Sequence, residues 1–225
     1  MRAQKVTLRD VTFALRVTAC QGSRMEKAAR RSYRGVSFED RLLDRRERLI
    51  DAGIAIYARK GTERASVAAI CREAKLTGRH FYEIFGDRDA FFAEAFRSVT
   101  DSLLELVKAA IDPASPVVSA LGGFFNALLD HPDEARVFLL ELHNNDPLVL
   151  AIGKDFSARL TELIAPEVTQ ELMKVGAEGA IMQIARRWVS GGYTESVGDV
   201  ANMAARFSFV GQDRRPTSRH PAKAI

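Results

Sequence analysis

All seven prolines of this 225-residue chain lie at 113 or later, at positions 113, 116, 132, 147, 166, 216 and 221. Proline removes a helical N–H and clashes with the preceding turn, so a long proline-free stretch leaves helices free to run. In the first 112 residues helices must end at glycine and polar caps, whereas later ones can be bounded by proline. No run alternates apolar and polar residues for a strand's length, and the Asn-Gly hairpin signal is absent. An all-α fold is predicted.

Caps and periodicity divide the chain. Ser37 opens a first helix, with Asp40 in the capping-box position. Leu42, Leu43, Leu49, Ile50, Ile54 and Tyr57 then recur at helical spacing, and Gly61 ends the helix because glycine tolerates the left-handed C′ conformation. Ser66 caps a short helix over 67–73. Ala74, Lys75 and Leu76 form a tight connection, and Thr77 caps a third helix to about Ile84. Gly86 breaks that helix, and Asp87 caps a fourth from Arg88 to about Ile111. Later helices are expected at 116–130, 133–144, 147–164, 166–175, 177–190 and 196–210.

Charge is unevenly shared. Residues 1–88 carry 20 Lys/Arg against 11 Asp/Glu, and residues 89–225 carry 13 against 18, for a net +4. A basic first part joined to an acidic remainder points to a polyanion as partner of the first part. Apolar residues make up 47%, enough for a packed core. No segment approaches the roughly 18–20 apolar residues of a membrane span, and the start lacks a secretory signal pattern. Cys20 and Cys71 supply neither a disulfide framework nor metal-site spacing. The cytoplasm is the expected compartment, and no cofactor is expected.

The segment 66–88 has the composition of a helix-turn-helix DNA reader. Such a unit needs one helix to brace a second, a polar face on the second, and phosphate donors around it. Val67, Ile70, Cys71, Ala74 and Leu76 can pack inward, anchored by Phe81 and Phe85. Thr77, Gly78, Arg79, His80 and Tyr82 then lie near the exposed N-terminal half of the second helix. Arg79 can donate two hydrogen bonds to guanine O6 and N7, and Gly78 allows close backbone approach. His80 can reach a base edge or a phosphate, and Tyr82 can donate to a phosphate. Ser66 with Val67, and Thr77, mark helix starts where free N–H groups favour phosphate. Arg88 can add charge at the next helix start. Arg30, Arg31 and Arg34 suit a DNA-touching arm. Each residue also has a plainer reading: Ser66 and Thr77 are N-caps first, Tyr82 can be half-buried core, and Glu83 either faces away or pairs with a cation.

The stretch Arg45 to Phe96, RRERLIDAGIAIYARKGTERASVAAICREAKLTGRHFYEIFGDRDAFFAEAF, resembles the TetR family of repressors. Its carriers are Gly61, Ser66-Val67, the turn Ala74-Lys75-Leu76-Thr77, the ending Phe81-Tyr82-x-x-Phe85 and the entry Asp87-Arg88-Asp89-Ala90-Phe91. The prelude Tyr33 to Ser37 is similar to that of actinobacterial members. Gly78 and His80 depart from common family choices, so the operator is not transferable from relatives. The resemblance implies a two-fold dimer on palindromic DNA, released by a small-molecule effector. It divides the chain into a flexible basic extension (1–36), a helix-turn-helix domain (37–87), a helical effector-binding and dimerisation domain (88–210) and a disordered tail (211–225).

The resemblance also implies a four-helix dimer interface from the last two long helices. Ile181, Ile184, Ala185, Trp188 and Val189 form one apolar stripe, and Val200, Met203, Ala204, Phe207 and Val210 another. Such stripes serve an intramolecular core equally well. The interface residues expected are Ile181, Ile184, Trp188, Met203 and Phe207. Effector-lining candidates are Phe124, Phe125, Phe138, His143 and Phe156, with Arg136 or Glu141 as a polar contact. The acidity of the second part suggests a largely apolar effector that carries a cationic group. His143 with Asn144, Asn145 and Asp146 lacks the repeated His or Cys spacing of a metal site. No catalytic signature is present: no Ser-His-Asp order, P-loop, Rossmann glycine pattern or His-Glu-x-x-His. The alternative to a DNA-binding regulator is a helical protein-interaction module with a basic arm, which leaves the polar set 77–82 without a role. Met25 is an alternative start, with residues 1–24 then dispensable.

Overall fold

The computed structural model describes residues 37–140, 146–166 and 168–208, and the elements among them are all α-helical. They are α1 (Phe38–Lys60), α2 (Val67–Glu73), α3 (Gly78–Phe85), α4 (Arg88–Ala109), α5 (Pro116–Asp130), α6 (Pro132–Leu140), α7 (Pro147–Ile164), α8 (Glu171–Ser190) and α9 (Val197–Ser208).

The helix starts follow local chemistry. At α1 the Asp40 N–H donates to Ser37 Oγ at 3.0 Å and the Ser37 N–H donates to the Asp40 carboxylate at 3.2 Å, a complete capping box. Asp87 and Asp146 cap α4 and α7 by accepting from Ala90 N at 2.8 Å and Leu148 N at 2.7 Å. Proline occupies the first position of α5, α6 and α7, where its missing N–H costs nothing. The expected break near Gly176 does not occur. One helix runs from Glu171 to Ser190, while 168–170 lie outside it. An interior glycine costs only about 1 kcal/mol relative to alanine, and the burial of Ala177, Ile181, Ala185, Trp188 and Val189 outweighs it.

α1 to α3 form a compact unit on the first part of α4. The rest of α4 enters a bundle with α5 and α7, and α5 also packs on α9. α6 lies between the two parts and touches α1 on one side and α8 on the other. At the first junction four aromatic rings meet. Phe91 lies 4.8 Å from both Phe81 and Phe85 and 6.1 Å from Tyr57 by ring centroids. This arrangement needs Gly53, since a Cβ there would sit 2.4 Å from Phe91 Cζ. Gly53→Ala should therefore lower folding stability by about 1–3 kcal/mol through overpacking. Denaturant melts would show a reduced midpoint, and an unchanged midpoint would mean that Phe91 is free to move.

Candidate nucleic-acid interface

The turn between α2 and α3 is held from a distance. Lys75 adopts a left-handed φ of 54°, which costs a side-chain-bearing residue on the order of 1 kcal/mol. The Arg48 guanidinium, on α1, donates to the Ala74 carbonyl at 2.7 Å and to the Lys75 carbonyl at 3.5 Å. It thereby satisfies the carbonyls of the turn that follows α2 and braces the turn from which α3 leaves. A second strut joins Arg59 of α1 to Glu73 at 3.1 Å. Neither role is visible in the sequence, because 26 residues separate Arg48 from Ala74 and no local motif links them.

α3 turns Phe81 and Phe85 into the core and leaves a polar face outward. Arg79 and Tyr82 are strongly exposed, at 84% and 56%. Gly78 has open space around the position a Cβ would take. Arg79 is paired: its Nε donates to Glu83 Oε1 at 2.7 Å, one helical turn on. The ion pair pulls the Glu83 carboxyl below its usual range, chiefly through the hydrogen bond from Arg79. His80 is half-buried, and its Nδ1 lies 3.4 Å from the Thr77 N–H and 3.1 Å from Thr77 Oγ1. The imidazole therefore serves as the N3 partner of the Thr77 cap, which occupies Nδ1 and leaves Nε2 for any other partner. Ser66 is exposed and its Oγ accepts from Ala69 N at 3.2 Å, so the hydroxyl hydrogen remains available. Val67 beside it is partly buried against the core.

Arg88 has a role beyond the sequence reading. It is exposed, and its guanidinium donates to the Thr62 carbonyl and lies beside the Tyr57 phenol. It ties the start of α4 to the loop after α1, a structural role beside the phosphate contact expected of it. The Arg30, Arg31 and Arg34 arm lies outside the described residues. Arg46, not singled out by sequence, pairs with Glu94 and lies 5.5 Å over the Phe85 ring, pinning α1 to α4 and α3.

The effector candidates separate. A cavity of about 660 Å³ opens between α6, α7 and α8, with Phe96 of α4 at its back. Phe138 and Phe156 line it, their ring centroids 4.8 Å apart. Phe124 and Phe125 are not among its lining residues. Both are fully buried, and Phe125 packs edge-on against Trp188 at 5.6 Å. Arg136 is elsewhere too: its Nε donates to the Ala58 carbonyl at 3.1 Å, joining α6 to the end of α1. His143 and Glu141 lie outside the described residues, as does Val210. The apolar stripes of α8 and α9 also divide. Ile181 and Trp188 are buried within the chain, and the Trp188 indole N–H donates to the Glu195 carbonyl at 3.0 Å. Ile181 is core, while Trp188 packs into the core and also lines the groove described next. Met203 and Phe207 remain exposed and Ile184 partly so, along a groove of about 630 Å³ that Ala180 and Val200 also line. Periodicity identifies an apolar side but cannot say which half of it is already covered. Among the described residues there is no cluster of three or more metal-ligating side chains and no helix long and apolar enough to cross a membrane.

Residues 49–95 match the family model described as bacterial regulatory proteins, tetR family. No curated protein matches the chain. Among solved structures, a TetR-like transcriptional regulator from Rhodococcus sp. RHA1 is 25% identical, covering 81% of this chain and 98% of its own, with a TM-score of 0.59. The fatty acid degradation regulator FadR from Bacillus halodurans is 16% identical, with 82% of this chain and 100% of its own covered and a TM-score of 0.61. FadR from Bacillus subtilis, solved with stearoyl-CoA, is 16% identical over 72% of this chain and 96% of its own, with a TM-score of 0.59.

The aromatic junction carries a pH signature. Burial pushes the Tyr57 phenol up to about 12, with the Arg88 guanidinium opposing the shift. A raised folded value means that the unfolded chain loses this proton first as pH rises. The contribution is thus fully present below about 10 and is lost between about 10 and 12. Unfolding free energy should fall over that window, and Tyr57→Phe should flatten the slope. Equal slopes for both proteins would sink the assignment.

Proposed function

We propose, from the premise that this chain is a DNA-binding transcriptional regulator with a TetR-family DNA-binding domain, that it works in the cytoplasm as a dimeric repressor released from a palindromic operator by a small effector. The carrying observation is the outward face of α3, where Gly78, Arg79 and Tyr82 stand clear of a core closed by Phe81 and Phe85. An α-helix presenting such a face fits the major groove. In this reading Arg79 reads guanine, Tyr82 and the Ser66 hydroxyl meet phosphates, and the exposed helix start at Thr77 approaches the backbone. His80 holds the cap and offers only Nε2 outward. The division into a reading domain over 37–87 and an effector and dimerisation domain over 88–210 follows, with α4 shared between them.

Two-fold operators call for two-fold proteins, and the uncovered face of α8 and α9 supplies a self-complementary surface. Ile184, Met203 and Phe207 are its apolar centre. Met203→Asp or Phe207→Asp should give a folded monomer with operator affinity largely lost, because a charge would enter an apolar seam. Trp188→Asp should unfold the chain instead. Sedimentation with circular dichroism distinguishes these results, and a Phe207→Asp dimer would remove this surface from consideration.

DNA reading is tested by selecting preferred duplexes from a random pool and measuring binding to the selected and a scrambled sequence across a salt series. Arg79→Ala should lose roughly ten- to a hundredfold on the selected duplex and much less on the scrambled one, with relaxed choice at one base pair per half-site. Equal losses on both would make Arg79 a phosphate contact. Arg88→Ala should lower thermal stability along with affinity, since it removes the tie to the Thr62 carbonyl.

For release, the cavity beside α6 is the effector site favoured here. α6 carries Phe138 in its wall and, through Arg136, holds the Ala58 carbonyl at the end of α1. A ligand that shifts α6 would therefore move the helix whose Arg48 and Arg59 set the position of α2 and α3.

A further inference from the structure

The cavity is a slot, not a sphere. Its lining follows α7 from Val149 to Glu162 and α8 from Arg186 back to Glu171, about 20 Å along each helix at about 1.5 Å rise per residue. The two helices run past each other with little direct packing, and Ser157 Oγ donates to Glu178 Oε1 at 2.5 Å between them. About 660 Å³ spread over that length leaves room for a slender molecule. Its back is apolar and partly aromatic, from Phe96, Phe138 and Phe156.

Charges of both signs line this slot. Arg186 lies at the end marked by Leu139, to whose carbonyl it donates, and Glu178 lies opposite Ser157 further along, with Glu162, Glu171, Lys154 and Lys174 also lining the slot. Arg186 is half-buried, its Nε donates to the Leu139 carbonyl at 3.0 Å and one η nitrogen donates to Gln183 at 3.0 Å. Among the described residues no carboxylate pairs with it. A half-buried guanidinium whose partners among the described residues are neutral keeps spare donors on its η nitrogens, and an anion is the partner that uses them best.

We infer that Arg186 is the receptor for an anionic end group of the effector, so that the slot takes a slender apolar molecule ending in a carboxylate-type anion, seated with that end toward α6. The inference rests on the effector reading of this cavity and reverses the cationic effector suggested by the acidic composition. That acidity is largely on the outer surface and at the far end of the slot, where it repels an anion and so fixes one orientation. The anion also competes with the Leu139 carbonyl for Arg186. Leu139 is on α6, the helix that holds Ala58 through Arg136. Filling the slot would thus loosen α6 at the contact nearest the ligand, which links ligand charge to DNA release.

The test uses the full chain and three probes with one tail: dodecanoate, dodecanol and dodecylamine, each below its micelle concentration. Calorimetry and thermal shift are expected to show dodecanoate binding at least tenfold tighter than dodecanol, with dodecylamine weakest. Arg186→Gln should bring dodecanoate down to the level of dodecanol while leaving dodecanol binding in place, and Arg186→Lys should restore part of the preference. A merely structural Arg186 would lower all three probes together. Equal binding of dodecanoate and dodecanol by the unaltered protein, or an undiminished preference in Arg186→Gln, overturns the inference. Tightest binding of dodecylamine overturns it too but leaves the effector site standing. No binding of any probe removes both. The comparison of probes on the unaltered protein decides the matter even if a variant fails to fold.

Discussion

Phe91 occupies the point where α1, α3 and α4 converge, and it is the residue against which α3 seats both of its aromatic side chains. Its ring fills space that a Cβ at Gly53 would take, and it receives Phe81 and Phe85 from α3 on its other sides. Clusters of this kind are worth more than their buried area, because aromatic edges and faces attract each other. They are also rigid. α3 cannot tilt without moving Phe81, Phe81 cannot move without Phe91, and Phe91 belongs to α4. The orientation of the exposed face of α3 is therefore set by a helix that runs on into the bundle with α5 and α7.

Two connections thus join the halves, and they differ in kind. α4 is continuous and stiff, with Phe92, Phe96, Val99, Leu103 and Val107 buried along it. α6 is short, and its link to α1 is the Arg136 hydrogen bond to the Ala58 carbonyl together with side-chain packing. A long helix transmits a rotation of its far end. A short helix tied to its neighbours by single hydrogen bonds at each flank, Ala58 on one side and Arg186 on the other, has two contacts that a bound molecule can exchange without unpacking its buried side chains. A small ligand has only a few kcal/mol of differential affinity with which to bias such an equilibrium, so exchangeable contacts of this kind are the better place for it to act.

Much of this was legible in the sequence where the determinants are local. α2, α5 and α7 begin and end where Ser66, Pro116, Asp146 and Pro147 and their stop signals place them, because caps and proline act within one turn. The exposed set on α3 followed from Phe81 and Phe85 at helical spacing. The failures share a cause. Gly176 looks like a break until the burial of the following residues is known. Ile181 looks like interface although it is fully buried within the chain, and Trp188 looks like interface alone although Phe125 of α5 packs on it. Arg136 looks like an effector contact, and Arg48 and Arg186 carry no local signal, yet each donates to a carbonyl 78, 26 or 47 residues away. Pattern gives a side chain's face, and only the assembled chain says what stands opposite.

The Arg79–Glu83 pair bears on how such a protein finds its site. On the proposed reading of α3, its carboxylate would meet phosphates on every sequence and weaken attachment to DNA at large, while Arg79 would compensate only where its η nitrogens find acceptors. The pairing through Nε leaves those nitrogens free and the side chain already ordered, which lowers the entropy lost on docking. Dwell time on unrelated sequence would then be shortened and the loss recovered at the cognate base pair. In a chromosome where wrong sites vastly outnumber right ones, quick dismissal of wrong sites speeds arrival at the right one, and an acidic side chain one turn from Arg79 would serve that end.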